Sequence, residues 1–397
     1  VRHWQQRKLK SFISLRPMPP LSQATPSAPD PDDLGRYLSL MVTYGASDLF
    51  LSSDVAASLK INGRIRRLPE APLTGTRIKS LAYSVMRDTQ IREFEADLEC
   101  DLAIAMEQLG RFRVNVFRQR GEVAVVVRHI NSQIPTLESL KLPPILKTLA
   151  MLKRGLVLVV GAAGSGKSTT LAAMLDYRNE MASDHILTVE DPMEFEHSHK
   201  KSIIDQREVG LDTRSFDEAL RRAMREAPDV IMIGEIRDRD TMQHAMAYAE
   251  TGHLCVSTLH ANNANQAIQR VLNFFPENAQ RQVLMDLSLN LKGVVGQRLL
   301  LGAGGKRVPA VEVMLLSPYI ADLIQKGQTD EIKAAMAKSV ELGMATFDQS
   351  LYDLYARGDI TQEQAIEHAD SKTDLSLRIR LASGRRPETE ALQVLRD

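Results

Sequence analysis

The sequence predicts an α/β protein in which a parallel βαβ core follows a small α+β domain. Three observations carry this expectation. From Leu156 onward, short apolar strands alternate with helical segments, the pattern of a parallel sheet covered by helices. The stretch Leu156–Thr169, LVLVVGAAGSGKST, joins a buried strand to a helix through Gly161-x4-Gly166-Lys167-Ser168, which is the spacing of a phosphate-binding P-loop. Residues 34–135, in contrast, hold short alternating strands and few helices, as in a small α+β domain.

The start of the chain differs in composition from the rest. The first sixteen residues carry Arg2, Arg7, Lys8, Lys10 and Arg16 without an acid, and residues 17–33 hold six prolines. This reads as a flexible basic head and a stiff linker over 1–33, with no apolar segment of the kind a signal peptide needs. In the first domain, Leu34, Tyr37, Leu38 and Met41 set a helix over Leu34–Tyr44. Strands are expected at Asp48–Leu51, Ala57–Ile61, Ile65–Leu68, Leu98–Ala105, Arg111–Arg118 and Val123–His129, with an Asn62-Gly63 hairpin turn and one helix over Gly75–Glu95. Residues 136–144, ending at Pro143-Pro144, read as an interdomain linker and hinge.

The second domain is expected over 145–375. Its strands are Leu156–Val160, Ile186–Val189, Val230–Gly234 and Leu254–Thr258, and its helices are Ser168–Asn179, Phe216–Arg225 and Asp240–Thr251. In such a sheet the nucleotide sits at the strand ends. Beyond Gln266 the pattern is mainly helical, with one late strand near Val308–Leu315 and a C-terminal tail over 376–397.

Composition excludes several functions. With 44% apolar and 25% charged residues the chain has the make-up of a soluble protein, and no apolar run approaches a bilayer-spanning length. Lys plus Arg equals Asp plus Glu at 50 each, so no positive excess points to a nucleic-acid partner. Cys100 and Cys255 form no metal motif and fit reduced, buried thiols in the cytoplasm.

The chemistry concentrates around the P-loop. Gly161, Ala162, Ala163, Gly164, Ser165, Gly166, Lys167, Ser168 and Thr169 form the expected ATP-binding loop. In it, backbone N–H groups and a helix start face the phosphates, Lys167 reaches the β- and γ-phosphates, and the Ser168 hydroxyl helps hold Mg²⁺. Glu235 ends the apolar run after Asp229, where a carboxylate can hold the metal, while Asp229 precedes the strand and organises the fold. Thr188-Val-Glu190-Asp191-Pro192 supplies another carboxylate at a strand end. Hydrolysis also needs a group that orients water for in-line attack. Either Glu190 or Glu235 can take that role; we favour Glu190 as the base and Glu235 as the Mg²⁺ organiser. His253 and His260 flank the fourth strand and can sense phosphate or polarise a carboxylate. Arg111, Arg113 and Arg128 can supply transition-state charge, although surface salt bridging is the simpler reading of these residues alone.

Together these segments resemble the secretion and type IV pilus ATPase superfamily, in its twitching-motility retraction (PilT/PilU) branch. The matching residues are Gly45-Ala-Ser-Asp-Leu49, Gly110-Arg-Phe-Arg-Val-Asn-Val-Phe117, the Walker A loop, Thr188–Pro192 (the Asp box) and Asp229–Asp238 (Walker B). Ala249-Glu-Thr-Gly-His253 with Ser257-Thr-Leu-His260 completes the set as the His box. The resemblance spans roughly residues 34–365 and implies a RecA-like P-loop ATPase domain preceded by a small PAS-like domain. It further implies a homohexamer with ATP between domains and adjacent subunits, which brings the three arginines and both histidines into the expected site. An inner-membrane pilus platform protein is the implied partner, and the expected location is the cytoplasmic side of the inner membrane at the pilus base.

Within the branch, Phe50 stands where a histidine is usual, and His260–Ala267 with Asn273-Phe-Phe-Pro-Glu277 lies on the PilU side. Residues 320–327, Ile-Ala-Asp-Leu-Ile-Gln-Lys-Gly, replace the Ala-Ile-Arg-Asn-Leu-Ile-Arg-Glu motif of PilT. These departures imply an accessory motor working with a main retraction ATPase of the PilT type. A pilus or secretion assembly ATPase is the nearest rival, but that branch carries a four-cysteine zinc element that two cysteines cannot provide. A nucleic-acid translocase on a RecA-like fold lacks support from charge or from an aromatic-and-basic tract. A slowly hydrolysing structural subunit is the third alternative.

Overall fold

Apolar residues at helical spacing bury one face of Leu34–Thr43 (α1) through Leu34, Tyr37, Leu38 and Met41. The computed structural model describes residues 34–61, 63–303 and 305–382. The basic head and linker expected over 1–33, Asn62 of the expected turn and residues 383–397 of the tail expected over 376–397 lie outside the described residues; the start of that tail, 376–382, instead continues a helix from Lys372 that buries Ile379. The chain divides after Ile130 into two compact units.

In the N-terminal unit, α1 is followed by β1 (Asp48–Leu51), β2 (Ser58–Ile61), β3 (Arg64–Arg67), α2 (Gly75–Tyr83) and α3 (Asp88–Asp97). The unit closes with β4 (Glu99–Met106), β5 (Gly110–Gln119) and β6 (Glu122–Ile130). The strands form one antiparallel sheet in the order β3-β2-β1-β6-β5-β4. Alternation along β5 buries Phe112, Val114 and Val116 and turns Arg111 and Arg113 to the opposite face. This is a distinct α+β unit. The expected single helix over 75–95 is two helices. The Ser84 hydroxyl donates to the Leu81 carbonyl at 2.8 Å, and extended Arg87 donates its N–H to Gln90 Oε1 at 3.0 Å. Such local bonds end one helix and start another.

The C-terminal unit contains α4 (Ile145–Ala150), β7 (Gly155–Val160), α5 (Lys167–Met181), β8 (His185–Glu190), β9 (Ile203–Glu208), α6 (Phe216–Ala223) and β10 (Val230–Ile233). It continues through α7 (Arg239–Glu250), β11 (Leu254–Leu259), α8 (Ala264–Leu272), α9 (Glu277–Asn290), β12 (Leu291–Leu301) and β13 (Arg307–Leu315). Five helices end it: α10 (Pro318–Gln325), α11 (Ile332–Ala337), α12 (Phe347–Ala356), α13 (Gln362–Glu367) and α14 (Lys372–Ala382). The sheet order is β13-β12-β7-β11-β10-β8-β9, parallel throughout except for the antiparallel edge strand β13. Every residue of β7, β10 and β11 is buried, as expected for strands covered on both faces.

One apolar layer packs α6–α11 on one side of the sheet, and another packs α4 and α5 on the other. A smaller core joins the ends of β12 and β13 to α12–α14 through Val308, Phe347, Leu351 and Ile379. Leu137 and Leu142, within the segment read as a hinge, are buried in the layer around α4 and α5. Asp229 accepts the His185 N–H at 2.8 Å and so ties the starts of β10 and β8 together.

β9 and β12 were not expected as strands. In β9 the apolar pattern stops after Ile204, and Asp205-Gln-Arg-Glu208 reads as polar surface. In β12 two glycines, Lys292, Gln297 and Arg298 interrupt the apolar run, although Gln297 is buried.

Candidate functional site

Consecutive parallel strands deliver the candidate residues to one edge of the sheet. Val160 ends β7, Glu190 ends β8, Gly234-Glu235 follow β10 and His260 follows β11, so these positions converge at the carboxyl ends where α/β sheets bind ligands. Glu190, Gly234, Glu235 and His260 line a cleft of about 480 Å³ that also includes Ala163, Gly166, Ser168 and Thr169.

The loop is shaped by backbone that only glycine accommodates well. Gly161 has φ +156°, and a Cβ there would lie 2.4 Å from Ser165 Oγ and 2.5 Å from the Gln297 carbonyl. Gly166 has φ +91° and would meet Gln297 Nε2 at 2.8 Å. The helix α5 starts immediately after, so its free N–H groups face the loop. Behind it, the Thr170 hydroxyl donates to Gln297 Oε1 at 2.6 Å.

Lys167 is buried, and its ammonium donates to the Gly161 and Ala162 carbonyls at 2.9 and 3.0 Å. Burial lowers its pKa, opposed by the negative charges of Glu235 and Glu194. The buried Ser165 Oγ has no hydrogen-bond partner among the described residues. A glycine-shaped cradle, a buried cation and an unpaired hydroxyl fit the phosphates of a nucleotide. Ser168 and Glu235 offer hard oxygen donors suited to Mg²⁺, which commonly takes one or two protein ligands beside substrate phosphates. Among the described residues no cluster of three or more His, Cys, Asp or Glu forms a dedicated metal cage.

The two carboxylates differ sharply. Glu190 is buried, which pushes its pKa up to about 7. Its Oε1 accepts from the Thr188 hydroxyl at 2.8 Å and from Gln206 Nε2 at 3.2 Å. Glu235 is more open and is engaged through both oxygens, with His260 Nε2 at 2.9 Å from Oε1 and Arg237 Nε at 2.8 Å from Oε2. Arg237 also approaches Asp191 at 3.5 Å.

The remaining expected residues are not all gathered here. His253 precedes β11, at the opposite end from His260, and its Nδ1 lies 3.1 Å from the Thr251 hydroxyl. The strand separates the two imidazoles by roughly 20 Å. Arg111, Arg113 and Arg128 belong to the N-terminal unit and share one face of its sheet, Arg113 being paired in register with Arg128. Arg128 Nε lies 2.9 Å from the buried Asp48 carboxylate, and Arg113 lies 3.6 Å from Asp101.

Several cleft residues were missed. Arg237 follows Glu235 by two positions and had a signal in that spacing. Leu299 of β12 and Arg307 of β13 also line the cleft, and Gln206 of β9 reaches Glu190 from outside the lining; β9 and β12 were not foreseen. His197 also lines the cleft; burial pushes its pKa down to about 4, and its Nδ1 has no hydrogen-bond partner among the described residues.

The family described as Type II/IV secretion system protein matches residues 24–339. The chain belongs to that family. Similarity to named relatives places it in the PilT/PilU branch. It is 54% identical over 349 residues to the type IV pilus ATPase PilU of Pseudomonas aeruginosa, covering 88% of this chain and 91% of that protein. It is 43% identical over 337 residues to the type IV pilus retraction ATPase PilT of the same organism, covering 85% and 98%. A crystal structure of the pilus retraction motor PilT with bound ADP superposes with a TM-score of 0.81 at 41% identity, covering 87% of this chain and 99% of that one. The C-terminal unit is therefore a RecA-like P-loop ATPase domain, and the chain is an ATP-hydrolysing enzyme. No helix among the described residues is long and apolar enough to cross a membrane.

Proposed function

We propose that this chain is an ATP-driven motor of type IV pilus retraction and twitching motility, acting as an accessory to a main retraction ATPase of the PilT type. Membership of the PilT/PilU branch supports the motor role, and identities of 54% to PilU and 43% to PilT favour the accessory side. The reading takes the N-terminal unit as PAS-like, the working assembly as a homohexamer at the cytoplasmic face of the pilus base, and a platform protein as its target. The domain scheme retained is a PAS-like part over 34–135, a linker over 136–144 and an ATPase part over 145–375.

Within the site, the observation that carries the reading is the buried, high-pKa Glu190 beside the P-loop. Gly161–Thr169 wraps the triphosphate, and Lys167 exchanges its loop carbonyls for β- and γ-phosphate oxygens. Ser168 and Glu235 would hold Mg²⁺, which when bound offsets the charge developing on the phosphates. Glu190 orients the attacking water and takes its proton, a task suited to a carboxyl titrating near neutrality. Glu235 is a poorer base because His260 and Arg237 occupy both of its oxygens. His260 steadies Glu235, while Arg111, Arg113, Arg128 and His253 are proposed to act from a neighbouring subunit of the ring, as they can serve phosphate there without reaching it along their own strand.

Two variants test this. Lys167→Ala should abolish ATP turnover through lost nucleotide binding, and Glu190→Gln should lower kcat by at least about 100-fold while ATP still binds. Wild-type turnover in both variants would overturn the site.

A further inference from the structure

The turn that follows β8 is held by one side chain that also reaches the Glu190 carboxylate. Gln206 lies on β9 opposite Thr188 in the parallel register. Its Oε1 accepts the His197 backbone N–H at 2.7 Å, and its Nε2 donates both to the Phe195 carbonyl at 2.9 Å and to Glu190 Oε1 at 3.2 Å. One face of the amide meets a donor and the other meets two acceptors, so its orientation is determined by the network. Thr188 sits two residues before Glu190, hence on the same face of the strand. It adds a second donor to the same oxygen at 2.8 Å.

We propose that Thr188 and Gln206 are positioning residues for ATP hydrolysis: together they clamp Oε1 of Glu190, set the direction of its other oxygen, and lock the carboxylate to the 195–197 backbone. This rests on the reading of Glu190 as the base. A carboxyl on a strand end can rotate about its side-chain bonds, and two converging donors remove that freedom before water is engaged. They also favour the ionised form against burial, the larger influence. The charged and titratable groups around the carboxylate are Glu194, whose backbone N–H also favours ionisation while its charge opposes it, together with Asp191, Lys167, the Glu235–Arg237 pair, Arg307 and His260 in the same cleft. His197, kept neutral by burial, adds no charge at neutral pH.

Steady-state ATPase measurements on the full chain between pH 5.5 and 9 test the clamp. Thr188→Val, which keeps shape but removes the hydroxyl, and Gln206→Ala should each lower kcat roughly tenfold with KM for ATP changed less than about twofold. Each should also move the acid limb of kcat upward by roughly half to one pH unit, because ionised Glu190 loses a donor. Thr188→Ser should restore both rate and profile, which a purely structural role of Thr188 would not require. If Glu190→Gln is inactive while Thr188→Val and Gln206→Ala keep wild-type kcat and acid limb, the clamp is overturned and the base stands. If Glu190→Gln turns over ATP normally, both fall.

Discussion

Lys167 and Glu190 are opposite charges that the fold treats in the same manner, by taking each out of water, Lys167 at the start of α5 and Glu190 at the end of β8. Burial lowers the pKa of the lysine and raises that of the glutamate to about 7, so each is readied to change partners when phosphate and water arrive. The P-loop was legible in full from residue spacing, because glycine, lysine and serine are required there by backbone geometry and charge. The choice between Glu190 and Glu235 was open in sequence, since both are acids after apolar strands. What separates them is tertiary: Thr188 and Gln206 face one, and His260 and Arg237 face the other. The loop makes a firm prediction at this scale. Gly161→Ala should weaken ATP binding at least tenfold and destabilise the fold by about 1–3 kcal/mol, because the added Cβ meets Ser165 Oγ and the Gln297 carbonyl. Nucleotide titration with thermal melting checks both effects.

Among elements, periodicity revealed strands whose two faces are alike or cleanly alternating, and it failed where a strand is half polar. β12 was hidden by its glycines and charges, yet it pairs with β7 and packs Gln297 behind the P-loop. β9 was hidden by Asp205-Gln-Arg-Glu208, of which Gln206 reaches the Glu190 carboxylate. The antiparallel strand β13 carries another buried acid, Glu312, which accepts the first N–H of α8 from Ala264 at 2.7 Å and is pushed by burial to about 7. This gives a pH prediction. The folded form keeps its proton up to about pH 7, whereas the unfolded chain releases it near 4.5, so stability from this group falls as pH rises through that window. Glu312→Gln, which still accepts from Ala264, should match wild type near pH 4.5 and exceed it by about 1–3 kcal/mol above pH 7. Urea unfolding at the two pH values measures the difference; an equal stability gap at both would contradict it.

At the scale of the whole molecule, the sequence marked a change of architecture between the α+β part and the ATPase part, and the structure divides after Ile130. The order of motifs also revealed the family, since a P-loop, two acidic strand ends and a histidine pair in this sequence constrain far more than any one of them. The spacing of His253 and His260 already put them at the two ends of the fourth strand, as β11 has them, but it could not show that Arg111, Arg113 and Arg128 share a sheet face with Asp48 and Asp101 in their midst. On the proposed function, those groups reach phosphate only in a ring, so Arg113→Ala should reduce ATP turnover of the assembled protein without changing the thermal stability of the ATPase unit. Turnover and melting of the purified assembly check this. The most direct measurement is pilus retraction in cells carrying this gene, recorded with and without the main retraction ATPase and with wild-type or Glu190→Gln protein. The account predicts that the wild-type protein enhances retraction when the main ATPase is present, that Glu190→Gln does not, and that neither sustains full retraction alone; full retraction by this protein without the main ATPase, or unchanged enhancement by Glu190→Gln, would contradict it.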